Sequence, residues 1–259
     1  MSDIRIFNSK NKQVLDKDFI TKQNIQDIVF ENSFEILGVI KIATNINLTK
    51  DKEDILEFLG YDEDHRLVII EFRENRNSST IKRAWVFLDY IKQNYSKIKL
   101  LITEYLGKDL ADEIIYLPRL ICIGEDYSKY DSLAIKETQY EIDLIKAVSF
   151  NKGIFAFEKV YQSKAINRSL LKINHIKDEQ KMLFYNLSEF LLNLGDEVTE
   201  VGFDGFLSYR KIRVFLYVVF DEQIQLHLIL KNKTKKIIVK NLKDLEKAKM
   251  EIELLYGEI

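Results

Sequence analysis

The stretch ILEFLGYDEDHRLVIIEFR, residues 55–73, decides the fold of the first part of this chain of 259 residues. Two runs rich in β-branched and aromatic residues flank the polar turn Asp62–His65, and this pattern predicts two strands joined by a tight turn. Such a hairpin places Glu57 and Glu71 on neighbouring backbones. Because side chains alternate along a strand with period two, Arg73 is expected on the same face as Glu71.

This pair of carboxylates suggests a metal site. Mg²⁺ or Mn²⁺ prefers oxygen ligands and keeps waters for phosphate chemistry, so Glu57 and Glu71 are candidate metal ligands. A cation two residues beyond Glu71 could steady an attacking water or the charge that develops on a phosphate. Glu57, Glu71 and Arg73 are therefore candidate catalytic residues. The spacing alone is more typical of a hairpin whose charged residues simply face solvent.

Periodicity along the rest of the chain predicts two domains, 1–162 and 178–259, joined by a pattern-poor linker over 163–177. The first is predicted to be α/β, with helices over 20–31, 79–95, 97–110 and 132–138 and further strands over 4–8, 37–46, 119–123, 141–147 and 153–157. The second is predicted to be a small α+β domain, with helices over 179–194 and 242–256 and strands over 205–209, 214–220, 225–230 and 236–239.

Composition limits the classes of function. A net charge of −2 excludes a basic body, so any nucleic-acid site must be a local patch. The single cysteine, Cys122, excludes an intrachain disulfide and is predicted to be a small buried hydrophobe. Met1–Arg5 has no apolar signal region, and no stretch approaches about 20 uncharged apolar residues. We therefore expect a cytoplasmic protein without membrane contact.

Other candidate residues are weaker. His65, His175 and His227 are isolated from one another in the sequence, so a zinc site is not expected. Trp85 and Phe87 lie at helical spacing and are predicted to pack in the core. Two basic clusters could be solvated faces or contacts to nucleic-acid phosphates. They consist of Arg210, Lys211 and Arg213, and of Lys233, Lys235 and Lys236.

Several phrases of the sequence carry a resemblance to a known family. They are ENSFEILG (31–38), ATNI (43–46), ILEFLGYD (55–62), VIIEFRE (68–74), RAWVFLDYI (83–91) and PRLICIGEDYSKYD (118–131). Through them the chain resembles an uncharacterised bacterial family of PD-(D/E)xK nuclease-like proteins, related to branched-DNA and mismatch endonucleases. FLLNLGDEV (190–198) and YRKIR (209–213) are similar to a small uncharacterised domain attached to such cores. The resemblance implies a restriction-endonuclease-like core, a mixed sheet flanked by helices.

The chain departs from the family pattern where the family carries its chemistry. Glu71 is unchanged, and Glu57 replaces an aspartate. Basic or neutral residues stand at the other positions: Lys22 and Asn45 for glutamates, Arg73 for the lysine, and Arg83 for a helix glutamine. Arginine is a planar, permanently charged fork and does not substitute neutrally for lysine. Arg73 and Arg83 could pair with the two carboxylates and occupy the place of a metal.

These observations favour a nuclease-fold protein that binds DNA, in restriction, repair or defence, with lost or reduced cleavage. The candidate contacts to nucleic acid are Arg83, Arg210, Lys211, Arg213, Lys233, Lys235 and Lys236. One alternative is an active endonuclease that uses Mg²⁺ or Mn²⁺. Another is a non-catalytic module that binds a protein partner and assists or inhibits a nuclease complex. The sequence leaves a homodimer open.

Overall fold

A computed structural model gives the fold for residues 4–10, 12–48, 55–73, 80–136, 138, 140–163, 177–195, 197–203, 205–230 and 233–256. The chain divides into two compact units, Met1–Lys164 and Ala165–Ile259. Of the predicted linker 163–177, only Ser163 and Lys177 belong to the described residues, so the predicted domain boundaries stay predictions.

The first unit alternates strands and helices. Its strands are β1 (Phe7–Asn8), β2 (Gln13–Val14), β3 (Lys17–Asp18), β4 (Val39–Asn47), β5 (Ile55–Asp62), β6 (Arg66–Phe72), β7 (Ile115–Gly124), β8 (Ile142–Phe150) and β9 (Ile154–Gln162). Its helices are α1 (Lys22–Leu37), α2 (Thr80–Gln93), α3 (Tyr95–Leu106), α4 (Lys108–Glu113) and α5 (Lys129–Lys136).

Seven of these strands form one mixed sheet in the order β3-β8-β7-β6-β5-β4, with β9 also paired to β8. β4, β5 and β6 are antiparallel, β6, β7 and β8 are parallel, and β9 returns antiparallel to β8. β1 and β2 pair separately. The parallel strands are almost fully buried because helices cover the sheet. The predicted α/β class with a mixed sheet is confirmed.

Helices cover both faces of this sheet. On one face, buried residues of α2, α3 and α5 pack against alternate residues of the central strands, including Ile69 and Cys122. On the other face, Phe30 of α1 packs against Phe58 and Phe72, with distances of 5.8 and 5.6 Å between the ring centroids. Glu71 lies two residues after Ile69 in the same strand, so its side chain is on the same face of the sheet, towards α2.

The first unit differs from the sequence-based predictions in several places: β2 and β3 were not predicted, and α1 continues to Leu37, beyond the predicted end at residue 31. Three further differences concern single residues. The predicted helix 97–110 is two helices, because Gly107 (φ 82°) separates α3 from α4. Pro118 lies inside β7 rather than before it, within a stretch where the pairing with β6 is irregular, as a residue without a backbone donor requires. Phe87 is buried, but Trp85 is 38% exposed, so its predicted place in the core is wrong.

The second unit is a small α+β body. It comprises α6 (Asp178–Leu192), β10 (Thr199–Gly202), β11 (Phe206–Arg210), β12 (Val214–Phe220), β13 (Ile224–Leu230), β14 (Lys233–Val239) and α7 (Leu242–Tyr256). The five strands form an antiparallel sheet in sequence order, and α6 and α7 contribute to its core. The predicted α+β class is confirmed, and β10 is an additional strand. Within the described residues of both units, no helix is long and apolar enough to cross a membrane.

Candidate functional site

Three neighbouring strands bring together the positions at which the resemblance placed acidic residues. β5 pairs with β6 through Phe58 and Ile70, so the next step along the ladder sets Glu57 beside Glu71. On the other side, β4 pairs with β5 in a register that places Asn45 opposite Glu57. Asn45 has a positive φ of 53°, a conformation that asparagine tolerates better than most residues. The predicted carboxylate pair is therefore present on the sheet.

Helix α1 brings Lys22 to this pair. Thr21 caps the helix: its Oγ1 accepts a hydrogen bond from the Asn24 backbone N–H at 3.1 Å, and the Asn24 side chain accepts one from Thr21 N at 3.0 Å. The cap fixes the helix start, and Lys22 Nζ donates directly to Glu57 Oε1. The other oxygen of Glu57 accepts a hydrogen bond from Phe72 N at 2.9 Å. Both oxygens of Glu57 are thus engaged by the protein itself.

Helix α2 supplies the second cation. Arg83 Nη2 lies 3.3 Å from Glu71 Oε2 and 3.8 Å from Glu57 Oε1, and it donates to the Ile55 carbonyl at 3.2 Å. Its side chain is 40% exposed, whereas that of Glu71 is 1% exposed. Arg83 therefore lies between the carboxylates and solvent, as the sequence-based hypothesis of an arginine in the place of a metal requires.

Glu71 has an unusual environment. Both of its carboxyl oxygens are buried, and neither accepts a hydrogen bond of normal geometry within the described part of the chain. Burial, reinforced by the negative charge of Glu57, raises the pKa of Glu71 to about 8, although Arg83 and the Glu57 backbone oppose the shift. A protonated Glu71 leaves the group with one carboxylate, Glu57, and two cations, Lys22 and Arg83.

Arg73 has a different partner from the one predicted. Its Nη1 lies 2.9 Å from Asp131 Oδ2 at the start of α5, and its guanidinium lies over the Tyr127 ring, 5.1 Å from the centroid. Asp131 also accepts hydrogen bonds from the Ser128 backbone and hydroxyl. Asp131 and Tyr127 stand in the phrase 118–131, but no local pattern indicated that they would meet Arg73.

The composition of this group decides whether a divalent metal fits. A Mg²⁺ or Mn²⁺ ion would need the carboxylates of Glu57 and Glu71, and the cationic groups of Lys22 and Arg83 already contact them. Adding two positive charges beside two fixed cations is electrostatically unfavourable. Within the described ranges, no cluster of three or more His, Cys, Asp or Glu residues is placed to hold a metal ion. The residues present do not fit the divalent ion that the resemblance implies.

Sequence reasoning missed a second charged group, which lies near the amino-terminal ends of the parallel strands. Arg66 Nη1 lies 2.6 Å from Glu141 Oε2, and Arg119 Nη2 lies 2.5 Å from Asp143 Oδ2. Arg119 also lies 3.7 Å from Asp62, and all five side chains are buried. The sequence did contain an indication of this group, namely charged residues within otherwise apolar strands. A charge buried in this way needs a partner of opposite charge. This network has a structural role.

The predicted phosphate contacts of the second unit differ in accessibility. Arg210 is 1% exposed on β11, so its guanidinium is not accessible to a nucleic acid and we do not retain it as a contact. Lys211 and Arg213 lie in the turn between β11 and β12, and Lys211 Nζ lies 3.8 Å from the centroid of the Tyr256 ring.

The other predicted contacts are exposed on the edge strand β14: Lys233, Lys235 and Lys236. Lys235 forms an ion pair with Glu251 of α7. The turn and the edge strand therefore both contact α7, through Tyr256 and Glu251, which are about 7.5 Å apart along the helix. One lysine of each basic cluster, Lys211 and Lys235, thus contacts the same helix.

Comparisons with known proteins add little. No family model matches the chain, and no curated protein matches it. A chain of the "Structure of EndoMS-dsDNA2 complex" is similar with a TM-score of 0.29 and 17% sequence identity, over 51% of this chain and 47% of that chain. The chain therefore spans about half the length of that protein. A similarity of this size does not establish a relationship.

Proposed function

We propose that this protein binds DNA through a nuclease-type α/β body in which two protein cations replace the catalytic metal, so that it holds DNA without cleaving it. One observation carries the proposal: Arg83 Nη2 lies 3.3 Å from Glu71 and 3.8 Å from Glu57, while Lys22 is bound to Glu57. The carboxylates of β5 and β6, which could hold a metal, are instead paired with cations from α1 and α2.

The charge of this group supports phosphate binding over metal binding. With Glu71 protonated, Lys22, Arg83 and Glu57 leave one net positive charge, and Arg83 is the more exposed of the two cations. Arginine presents a planar fork of donors that suits a phosphate group. Arg83 would therefore contact the DNA backbone directly, with no ion between them.

The lysines of the second unit support the same proposal. Lys233, Lys235 and Lys236 are exposed along one strand. Contacts of this kind position DNA without reading its sequence, and they make affinity strongly dependent on salt. A role in restriction, repair or defence against foreign DNA would use such a module to recognise a DNA structure.

The test combines binding and cleavage. Wild-type protein and Glu71→Ala are incubated with single-stranded, duplex and branched DNA in EDTA and in Mn²⁺, and binding is measured over a series of salt concentrations. We expect salt-dependent binding in EDTA and no cleavage in Mn²⁺. Cleavage by the wild type that Glu71→Ala abolishes would refute the proposal and identify an endonuclease. The absence of both binding and cleavage would also refute the proposal and would favour a protein partner.

A further inference from the structure

An exposed aromatic side chain lies three residues before Lys22, which contacts the carboxylate site. Phe19, between β3 and α1, is 86% exposed, the largest exposed fraction among the large hydrophobic side chains of the described residues. Its neighbour Ile20 is 5% exposed, so the backbone at this point is anchored while the ring stands in solvent. A ring held in this way exposes apolar surface and offers a flat face to a ligand.

Two adjoining cavities meet at Phe19. One has a volume of about 370 Å³ and the other about 500 Å³, and Asp18, Phe19, Ile20 and Ser149 line both. The smaller one lies at the carboxyl ends of β6 and β7, where open α/β sheets commonly bind ligands. Its volume is at the small end of the range of about 300–1,000 Å³ for ligand pockets, which suits a single flat ring system.

The lining of the smaller cavity has both signs of charge. Its cations come from Lys17, Arg73 and Lys146, and its carboxylates come from Asp18, Glu125 and Asp126. A phosphate would meet three carboxylates there, which disfavours an anion inside the cavity. An uncharged ring with hydrogen-bond donors and acceptors on its edge can use both kinds of group.

Two short stretches of chain connect residues of the cavity with residues of the carboxylate site. Arg73 lines the cavity and follows Glu71 by two residues. Phe19 precedes Lys22 by three residues, so their Cα atoms are at most about 11 Å apart. A DNA strand whose phosphate contacts Lys22 would therefore have a neighbouring base within reach of the Phe19 ring.

We propose that Phe19 and the cavity of Lys17, Arg73 and Lys146 bind an unpaired base of single-stranded DNA by stacking. This inference rests on the proposed DNA-binding function and specifies its ligand as DNA with unpaired bases. Stacking on aromatic side chains is a usual means of holding single strands, because every base has a face that can stack. A duplex, whose bases are already stacked on one another, would not engage Phe19.

The test measures fluorescence anisotropy of a labelled single-stranded oligonucleotide of about 12 nucleotides in EDTA. We expect Phe19→Ala to weaken binding about 5- to 150-fold, which corresponds to the loss of one base stack, and Phe19→Tyr to retain it. Phe19→Leu, which keeps apolar volume without a ring, should bind as weakly as Phe19→Ala. Tyr105→Ala removes an exposed aromatic ring on α3 and serves as the control that leaves affinity unchanged.

A second arm uses an oligonucleotide of the same length with abasic sites. The wild type should bind the abasic oligonucleotide more weakly than the normal one. Phe19→Ala should bind the two oligonucleotides about equally, because ring and base act as one interaction. If the wild type binds DNA and Phe19→Ala binds the single strand equally well, this inference is wrong and the proposed function stands. If the wild type binds neither single strands nor duplex, both are wrong.

Discussion

Lys22 is the first residue of α1, where a positive charge opposes the helix dipole. The ion pair with Glu57 offsets that cost and gives this lysine a role in the site. Arg83, in contrast, uses one nitrogen to reach two carboxylates and a carbonyl. Single side chains therefore decide the chemistry here, since Lys22 and Arg83 contact the two carboxylates that a metal would need.

The protonation of Glu71 leads to a prediction about stability. Its pKa is raised to about 8 in the folded protein, so the folded state binds a proton that the unfolded state has already released. The stabilisation of the folded state by this proton is fully present below the ordinary glutamate pKa. The free energy of unfolding then falls as pH rises towards about 8, by up to about 1.4 kcal/mol per pH unit. Glu71→Gln should remove this loss.

The measurement is urea unfolding between pH 5 and 9, followed by fluorescence of Trp85, the only tryptophan of the chain and part of the first unit. The stability of Glu71→Gln relative to the wild type should increase with pH up to about 8 and then level off. A difference that stays constant with pH would mean that Glu71 is ionised throughout.

At the scale of elements, the parallel strands depend on buried ion pairs at their amino-terminal ends. Arg119 lies in β7 and contacts Asp143 of β8 at 2.5 Å and Asp62 of β5 at 3.7 Å. Removing one partner of a buried pair leaves the other charge uncompensated, which costs about 3–5 kcal/mol. Replacing both partners by apolar residues costs much less.

We therefore expect Arg119→Met to destabilise the first unit by about 3–5 kcal/mol and Arg119→Met with Asp143→Leu to recover part of that loss. Trp85 fluorescence in urea measures both. Lys99→Ala, which removes the exposed Lys99–Asp112 pair, is the control and should leave the unfolding midpoint unchanged. A double variant less stable than Arg119→Met would contradict a network of compensating charges.

The elements also show what sequence can and cannot predict. The largely apolar runs of β5, β6 and β12 predicted those strands closely, because strands that are mostly buried leave a nearly continuous apolar signal. β10 has only four residues, Thr199–Gly202, and was missed. The hairpin pattern identified Glu57 and Glu71, and the family resemblance drew attention to Lys22 and Arg83. They could not show that Arg73 meets Asp131 or that Arg210 is buried, since both depend on contacts between distant parts of the chain.

For the whole molecule, the lysine strand β14 of the second unit is proposed to contact DNA phosphates. Replacing Lys233, Lys235 and Lys236 with glutamine should weaken binding to duplex DNA. It should also reduce the slope of log affinity against log salt by about 0.9 for each DNA phosphate that the protein no longer neutralises. Affinity measured by anisotropy at several salt concentrations provides this slope.

The matched control replaces three exposed lysines of the first unit, Lys92, Lys97 and Lys108, with glutamine, which produces the same net charge. The slope should change less in this control than in the β14 variant. Equal slopes in both variants would mean that β14 has no specific role in DNA binding.

Calorimetric titration with Mn²⁺ tests most directly whether Lys22 and Arg83 stand in the place of the metal. We predict that the wild type binds no Mn²⁺ in the millimolar range, because its carboxylates are already neutralised. Lys22→Glu combined with Arg83→Gln should bind the ion, because it removes both cations and adds an oxygen donor. Saturable Mn²⁺ binding by the wild type that Glu71→Gln abolishes would contradict this interpretation and identify the site as a working metal centre.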